Sequence, residues 1–361
     1  MSAVNKRKKR VVLGMSGGVD SSVAAILLQK QGYDVIGVTM QLLPKASEHD
    51  SACCNIDSIA QAKQVAHSLG IPHYTLNIRD TFKRHVIDYF VNEYVIGRTP
   101  NPCVECNRYI KFDALWEKAR SLGADFVATG HYCKRTIHHK TGRYYFKKAK
   151  DVRKDQTYFL YMMTQDTLKH TLFPLGNFEK SEIRQMALKW GLVNAKKSDS
   201  QEICFVTKHT YRQFIEDQLE GTPPQPGDIV DLDGTKLGQH TGLHHYTIGQ
   251  RKGLRLSSPT PLYVIKIDAV KNQLIVGQKG LLHTTQIVAD QFSVVMDWRP
   301  IVGKTFDVKT RYQMMPFRAT VTSLSNGRVM LDAHFPQSFI TPGQSVVLYD
   351  KAFVIGGGII C

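Results

Sequence analysis

Strand and helix signals alternate over the first 200 residues, and this alternation limits the fold more than any other feature of the sequence. Short apolar or β-branched runs, such as 10–13 and 33–40, are each followed by a segment whose apolar residues have helical spacing. Strands that recur after each helix pair in parallel. The sequence therefore predicts a doubly wound α/β sheet, a fold that binds ligands at the carboxyl ends of its strands.

The pattern changes at a cluster of glycine and proline residues over 221–227. Beyond this cluster the helical spacing disappears, and alternating or β-branched segments continue to the last residues. We therefore predict an α/β domain over 1–220, a small β-rich middle domain over 221–280 and a C-terminal β-barrel over 281–361.

Charge and cysteine usage narrow the class of protein. The chain of 361 residues has a formal net charge of +16, and residues 134–155 hold nine Lys or Arg against two Asp. Such clustering is typical of a polyanion-binding protein, although a solvated basic surface has the same pattern. Seven cysteines, an odd number spread over a long chain, indicate reduced thiols and a cytoplasmic protein. No apolar run approaches the about 20 residues of a membrane span, so we expect no membrane segment.

A loop rich in glycine and serine separates the first predicted strand from the first predicted helix. It has the sequence SGGVDSS over 16–22. Glycines let the backbone approach an anion closely, and the helix N-terminus supplies N–H donors. Asp20 is a candidate oxygen ligand for a Mg²⁺ ion that bridges phosphates. The Walker motif G-x-x-x-x-G-K-[ST] is absent, which disfavours a Walker-type NTPase. The loop resembles that of the PP-loop ATP pyrophosphatases.

Further motifs make the resemblance more specific. They are TPNPCVECN at 99–107, ATGHY at 128–132, KDQTYFL at 154–160, DSQEICF at 199–205, HYTIGQRKGL at 245–254, TPGQS at 341–345 and GGGII at 356–360. With the PP-loop, they make nearly the whole chain resemble the tRNA-specific 2-thiouridylase (MnmA-type) family. This resemblance implies ATP-dependent 2-thiolation of the wobble uridine of tRNA, through transfer of AMP to the C2 oxygen and replacement by sulfur.

The resemblance also implies roles for individual residues. Cys204 matches the cysteine that carries the persulfide, and Cys106 matches the nucleophile that releases its sulfur, by forming a disulfide with Cys204. The residues expected around ATP are Gly14, Met15, Ser16, Gly17, Gly18, Val19, Asp20, Ser21, Met40 and Gly130. Those expected at the target base and tRNA are Asn101, Pro102, Cys103, His131, Lys154, Asp155, Gln156, Arg311, Tyr312 and Gln344.

The same resemblance implies ATP and Mg²⁺ as cofactors. The implied partners are tRNA and a cysteine desulfurase or sulfur-relay protein as the persulfide donor. We expect a monomer.

The cysteine pair Cys103-x-x-Cys106 leaves several kinds of site open. It could be a redox dithiol, or half of a zinc site with Cys53 and Cys54. Many family members have Asp where this chain has Cys103, so an acid–base role for that position does not carry over. Cys103, Cys106 and Cys204 could instead bind an iron–sulfur cluster.

Two other functions also remain open. One is a PP-loop ligase that adenylates a different acceptor, and the other is a catalytically silent RNA-binding protein. The sequence assigns no role to Cys133 or Cys361.

Overall fold

A computed structural model describes residues 7–43, 56–198, 203–206, 210–219 and 224–361. Cys53, Cys54, the first residues of the DSQEICF motif (199–202) and the predicted boundary at 220/221 lie outside the described residues. The chain forms two compact units. The first consists of 1–86, 103–208 and 352–354, and the second of 87–102, 209–351 and 355–361.

The first unit contains a five-stranded parallel sheet with the order β3-β2-β1-β4-β7, and an antiparallel hairpin of β5 and β6. Its central strand is fully buried, since Val11, Val12 and Leu13 are 0% exposed, as parallel sheets with helices on both faces require. The strands are β1 (Arg10–Gly14), β2 (Asp34–Gln41), β3 (His73–Asn77), β4 (Phe126–Ala128), β5 (Lys134–Ile137), β6 (Tyr144–Lys147) and β7 (Thr171–Leu172).

The described helices follow the predicted order. They are α1 (Val19–Lys30), α2 (Ile56–Ser68), α3 (Arg79–Phe82), α4 (Asp88–Val95), α5 (Pro102–Glu105), α6 (Leu115–Ser121), α7 (Gln165–Lys169), α8 (Lys180–Lys189) and α9 (Tyr211–Gln218). π-Helical segments cover Lys83–Ile87 and Cys106–Ala114.

The apolar spacing over 112–122 predicts a helix that begins at Phe112, and this start is wrong, because helical structure already begins at Pro102. Proline is favoured at the first position of a helix. The buried positions of this early part include the polar residues Glu105 and Asn107, so apolar spacing does not reveal it. The earlier start places Cys103 and Cys106 on helical backbone.

The second unit is mostly β-structure. A four-stranded sheet with the order β10-β11-β8-β9 is followed by a six-stranded barrel, which the pairing of β12 with β17 closes. The strands are β8 (Gly227–Val230), β9 (Lys236–His240), β10 (Tyr263–Asp268), β11 (Gln273–Gly277), β12 (Thr284–Val294), β13 (Thr305–Lys309), β14 (Phe317–Ser325), β15 (Arg328–Gln337), β16 (Ser345–Asp350) and β17 (Phe353–Ile360).

The predicted fold class, a parallel α/β sheet followed by a β-rich domain and a β-barrel, is confirmed. Among the described residues, no helix combines the length and the apolar character that a bilayer crossing requires.

Candidate active site

The segment over 16–22 runs from the loop after β1 into the first turn of α1, which begins at Val19, in a conformation that its own residues fix. The hydroxyls of Ser21 and Ser22 donate to the carbonyl oxygen of Gly18 at 3.1 and 3.0 Å. Gly17 has φ +70°, and a Cβ at this position would lie 2.5 Å from the carbonyl oxygen of Ser58. The first N–H groups of α1 have no partners within the helix and carry its positive dipole end. The loop is therefore suited to hold a phosphate chain.

Asn194 holds this loop from a distant part of the sequence. Its side-chain amide is buried and donates to the Gly17 carbonyl oxygen and to the Ser22 hydroxyl, both at 2.9 Å. Nothing in the local sequence of Asn194 distinguishes it from a surface asparagine, so its role becomes visible only in the fold.

We expect Gly17→Ala to eliminate ATP binding and to lower the melting temperature. The new methyl group would collide with Ser58 backbone, and the left-handed conformation adds about 1–2 kcal/mol. Gly32→Ala is the matched control, because Gly32 has φ +86° and no heavy atom within 4 Å of the position of a Cβ. Thermal unfolding and ATP binding of both variants test this. Equal ATP affinities would show that the loop tolerates displacement.

The carboxyl ends of the strands bring two further predicted residues to the loop. A Cβ on Gly14 would lie 3.9 Å from the Cε atom of Met40, near the end of β2. A Cβ on Gly130, which follows β4, would lie 3.1 Å from the backbone nitrogen of Ser21. The structure thus brings Gly14, Met40, Gly130 and the loop together at one edge of the sheet.

The Asp20 carboxylate accepts three hydrogen bonds from two residues. Lys180 Nζ lies 2.7 Å from both carboxylate oxygens, and the Tyr132 hydroxyl donates to Oδ1 at 2.9 Å. The side chain of Lys180 is 10% exposed and that of Asp20 is 31% exposed. A buried ammonium group therefore lies beside the phosphate-binding loop.

Lys180 belongs to the site, but no signal in the sequence identifies it as a site residue. It is the first residue of α8, and its backbone N–H donates to the buried carboxylate of Asp151 at 3.0 Å. Only the fold brings this lysine to Asp20, since 160 residues separate them.

Gln156 and Asp155 are predicted to contact tRNA. In this structure their side chains accept hydrogen bonds from backbone N–H groups. The side-chain oxygen of Gln156 accepts from the backbone N–H of Tyr132 at 2.9 Å. Asp155 accepts from the backbone N–H of Ala149 at 2.9 Å, and burial raises the pKa of its carboxyl group. The Gln156 contact positions Tyr132, which in turn donates to Asp20.

His131 is buried close to the same loop. Its Nδ1 lies 2.7 Å from the Thr129 hydroxyl, and its ring packs near Phe112 with centroids 5.8 Å apart. Burial, assisted by the charge of Lys111, lowers the pKa of His131 well below its usual value. The imidazole is therefore neutral in the folded protein.

Cys106 is buried, Cys103 is exposed, and Cys204 is partly exposed. Cys103 and Cys106 are three residues apart on helical backbone, so they lie on the same helical face.

Helix α3 brings the segments of Cys106 and Cys204 into one region. The ring of Phe205 packs edge-on against Phe82 of α3, with centroids 5.8 Å apart. The same helix packs against the π-helical segment that begins at Cys106. His85, just after α3, stacks on Tyr109 of that segment with centroids 4.2 Å apart.

In the second unit, Gln344 and Arg311 bind neighbouring segments of chain. The Gln344 amide donates to the carbonyl oxygens of Thr99 and Pro100 at 2.9 and 3.3 Å. Arg311 donates to the Thr341 hydroxyl at 2.8 Å. Gln344 thereby fixes the backbone directly before Asn101.

Three family models cover the chain: the tRNA methyl transferase HUP domain over 9–208, the tRNA methyl transferase PRC-barrel domain over 212–278 and the aminomethyltransferase β-barrel domain over 284–360. The tRNA-specific 2-thiouridylase MnmA of Clostridium perfringens is 48% identical over 98% of both chains. Its namesakes of Clostridium acetobutylicum and Acetivibrio thermocellus are 46% and 45% identical over 98% of this chain and 99% of theirs. The chain therefore belongs to the tRNA-specific 2-thiouridylase family of PP-loop enzymes.

Proposed function

We propose that this enzyme activates the C2 carbonyl of the wobble uridine of tRNA with ATP and replaces its oxygen with sulfur from a persulfide on Cys204. The observation that carries the proposal is the arrangement of the first unit. A phosphate-binding loop with Asp20 and Lys180 lies at the carboxyl edge of the sheet, and the segments of Cys106 and Cys204 both pack on α3.

The first step transfers AMP to the substrate. The C2 oxygen of uridine attacks the α-phosphorus of ATP, and pyrophosphate leaves. The amide-like C2 carbonyl is a poor electrophile, and the adenylated oxygen is a good leaving group. The N-terminus of α1 and the ammonium of Lys180 supply positive charge for the phosphates.

The second step transfers sulfur. The terminal sulfur of the Cys204 persulfide attacks C2 and AMP leaves, so the base is joined to Cys204 through two sulfur atoms. The thiolate of Cys106 then attacks Sγ of Cys204, which releases the 2-thiouridine and leaves a Cys106–Cys204 disulfide. An external thiol must reduce this disulfide, and a cysteine desulfurase or sulfur-relay protein must reload Cys204.

A Mg²⁺ ion fits the chemistry of Asp20, whose carboxylate oxygens are the ligands that this ion prefers. When bound with ATP, the ion would neutralise phosphate charge. The ammonium of Lys180 holds the carboxylate oriented toward the loop before ATP arrives.

A second route is favoured by one specific observation, the placement of Cys103 and Cys106 on the same helical face. With Cys204, they would offer three thiolates to an iron–sulfur cluster, and the remaining iron would supply a binding position for sulfide. In this route Cys103 is a ligand, whereas the persulfide route does not require it.

The tRNA is proposed to contact both units. We assign chemistry to residues 1–220 and tRNA binding to 221–280 and 281–361. The residues proposed at the target base and tRNA are Asn101, Pro102, Cys103, His131, Lys154, Asp155, Gln156, Arg311, Tyr312 and Gln344. An enzyme with these partners would work as a monomer in the cytoplasm.

The hairpin of β5 and β6 is proposed to meet tRNA phosphates, and Lys140 at its turn is exposed. We expect Lys140→Glu to weaken tRNA binding and to reduce the slope of log K against log salt by roughly 1. Lys63→Glu, an exposed lysine on α2, is the control with the same charge change. Binding measured at several salt concentrations tests this, and equal slopes in both variants would remove the hairpin from the interface.

Pyrophosphate release with and without unmodified tRNA tests the proposed function. We expect release to depend on tRNA and to produce 2-thiouridine when a persulfide donor is present. Release without tRNA would indicate a ligase acting on a different acceptor. No release under either condition, with tRNA still bound, would indicate a silent RNA-binding protein.

A further inference from the structure

A cluster of potential metal ligands lies in the second unit. Glu216 belongs to α9, and His244 and His245 belong to the 3₁₀ turn Leu243–His245. One ligand atom from each residue lies within 4.8 Å of the other two. Within the part of the chain that the structure describes, this is the one group of three His, Cys, Asp or Glu residues with such spacing.

His244 brings a buried nitrogen to this cluster. The residue is 5% exposed, and its Nε2 has no hydrogen-bond partner. The nearest carboxylate oxygen, Glu216 Oε1, is 3.8 Å away, which is too long for a hydrogen bond. A buried polar atom without a partner is costly and uncommon in native proteins.

The imidazole of His245 is oriented by a contact to Nδ1, the ring nitrogen on the side away from Glu216. Its Nδ1 lies 2.8 Å from the Thr241 hydroxyl, and its Nε2 lies 2.7 Å from Glu216 Oε1. In this structure Nε2–H donates to the carboxylate and Nδ1 accepts from the Thr241 hydroxyl. Zinc bound at Nε2 would take the place of that proton, and Nδ1–H would then donate to Thr241. Metal-bound histidines are typically held by such a bond to the second ring nitrogen.

We propose that Glu216, His244 and His245 form a zinc site that fastens α9 to the 3₁₀ turn, with water as the fourth ligand. Two imidazoles and a carboxylate are a ligand set that zinc accepts. Tetrahedral bonds of about 2.0–2.1 Å place ligand atoms about 3.3 Å apart. The separations of 2.7 and 3.8 Å from Glu216 Oε1 lie on either side of this value.

Charge and packing agree with this assignment. Glu216 supplies negative charge against the cation. Helix α9 already packs on the turn, where the Tyr211 hydroxyl donates to the His245 carbonyl oxygen at 3.4 Å. An ion bound only by the folded chain would stabilise this contact further.

The test is a zinc titration of the full chain against a competing chelator, with thermal unfolding at each zinc level. We expect the wild type to bind about one equivalent more than Glu216→Gln or His245→Ala, and each variant to lose affinity at the site by at least about 100-fold. The zinc-dependent rise in melting temperature should disappear with it. His139→Ala, an exposed histidine in the first unit, is the control. Any zinc bound to cysteines is bound equally by the wild type and the three variants, so it does not affect the difference in zinc stoichiometry between them.

Thr241→Val separates a metal site from an ordinary hydrogen bond, because it retains all three ligands. We expect it to weaken zinc binding roughly 10- to 100-fold through loss of the contact to His245 Nδ1. Equal zinc stoichiometry and equal zinc-dependent stabilisation in the wild type, Glu216→Gln and His245→Ala would overturn the proposal. Neither readout depends on thiolation, so this result is independent of the proposed reaction.

Discussion

Replacing Cys204 by serine is expected to lower the rate of 2-thiouridine formation by at least about 10³-fold, as loss of an essential nucleophile does in other enzymes. A serine hydroxyl cannot carry a persulfide, so the sulfur-transfer step has no donor. Adenylation and tRNA binding should persist, because the loop over 16–22 and its contacts to Asn194 do not involve Cys204. Quantifying 2-thiouridine in tRNA, alongside tRNA-dependent pyrophosphate release, separates the two steps.

Cys361→Ser is the matched control for this variant, because Cys361 is an exposed thiol at the last residue. It should retain wild-type thiolation. If Cys204→Ser also thiolates tRNA at the wild-type rate, the sulfur does not pass through this residue.

Replacing Lys180 by methionine is expected to lower the rate of tRNA-dependent pyrophosphate release by at least about 10²-fold. Loss of one preorganised group that stabilises charge in a transition state typically lowers the rate of an enzyme by this factor. Methionine occupies a similar volume but leaves the Asp20 carboxylate without its ammonium partner. Lys150→Met is the control. Lys150 forms an exposed ion pair at 2.9 Å with Glu182 of α8, the helix that also contains Lys180. Exposed ion pairs of this kind contribute little to stability.

A double-mutant cycle tests whether Lys180 acts with Asp20. We expect Asp20→Asn to impair pyrophosphate release strongly, and the double variant to lose far less than the two single effects combined, because both remove the same ion pair. Additive losses would mean that the two residues act separately. That result would contradict a shared role for the ion pair, in which Lys180 Nζ lies 2.7 Å from both carboxylate oxygens of Asp20.

The parallel sheet and the glycine-rich loop could be predicted from the sequence, because both depend on the order of residues and elements along the chain. Strand–helix alternation determines a parallel sheet, and parallel strands place their carboxyl ends at one edge. Gly14, Met40 and Gly130, which the resemblance places around ATP, therefore come together from the ends of β1, β2 and β4.

Residues that act across long sequence separations were not predictable in this way. Lys180 meets Asp20 only because α8 packs on α1, and Asn194, which follows α8 in the chain, meets Gly17. The motif residues Asp155 and Gln156 are proposed to contact tRNA, and the structure adds that their side chains also bind nearby backbone. A motif identifies a region of the site, but the atom that each side chain contacts depends on packing.

The most direct test of the sulfur route is made on protein purified without oxygen. Bound iron and acid-labile sulfide are quantified first, and 2-thiouridine formation is then assayed with ATP, unmodified tRNA and either a persulfide donor or free sulfide. We predict an iron-free protein that thiolates tRNA from the persulfide donor and requires both Cys204 and Cys106. A stoichiometric cluster, with thiolation from free sulfide that is lost when the cluster is removed, would contradict the persulfide route and make Cys103, Cys106 and Cys204 cluster ligands.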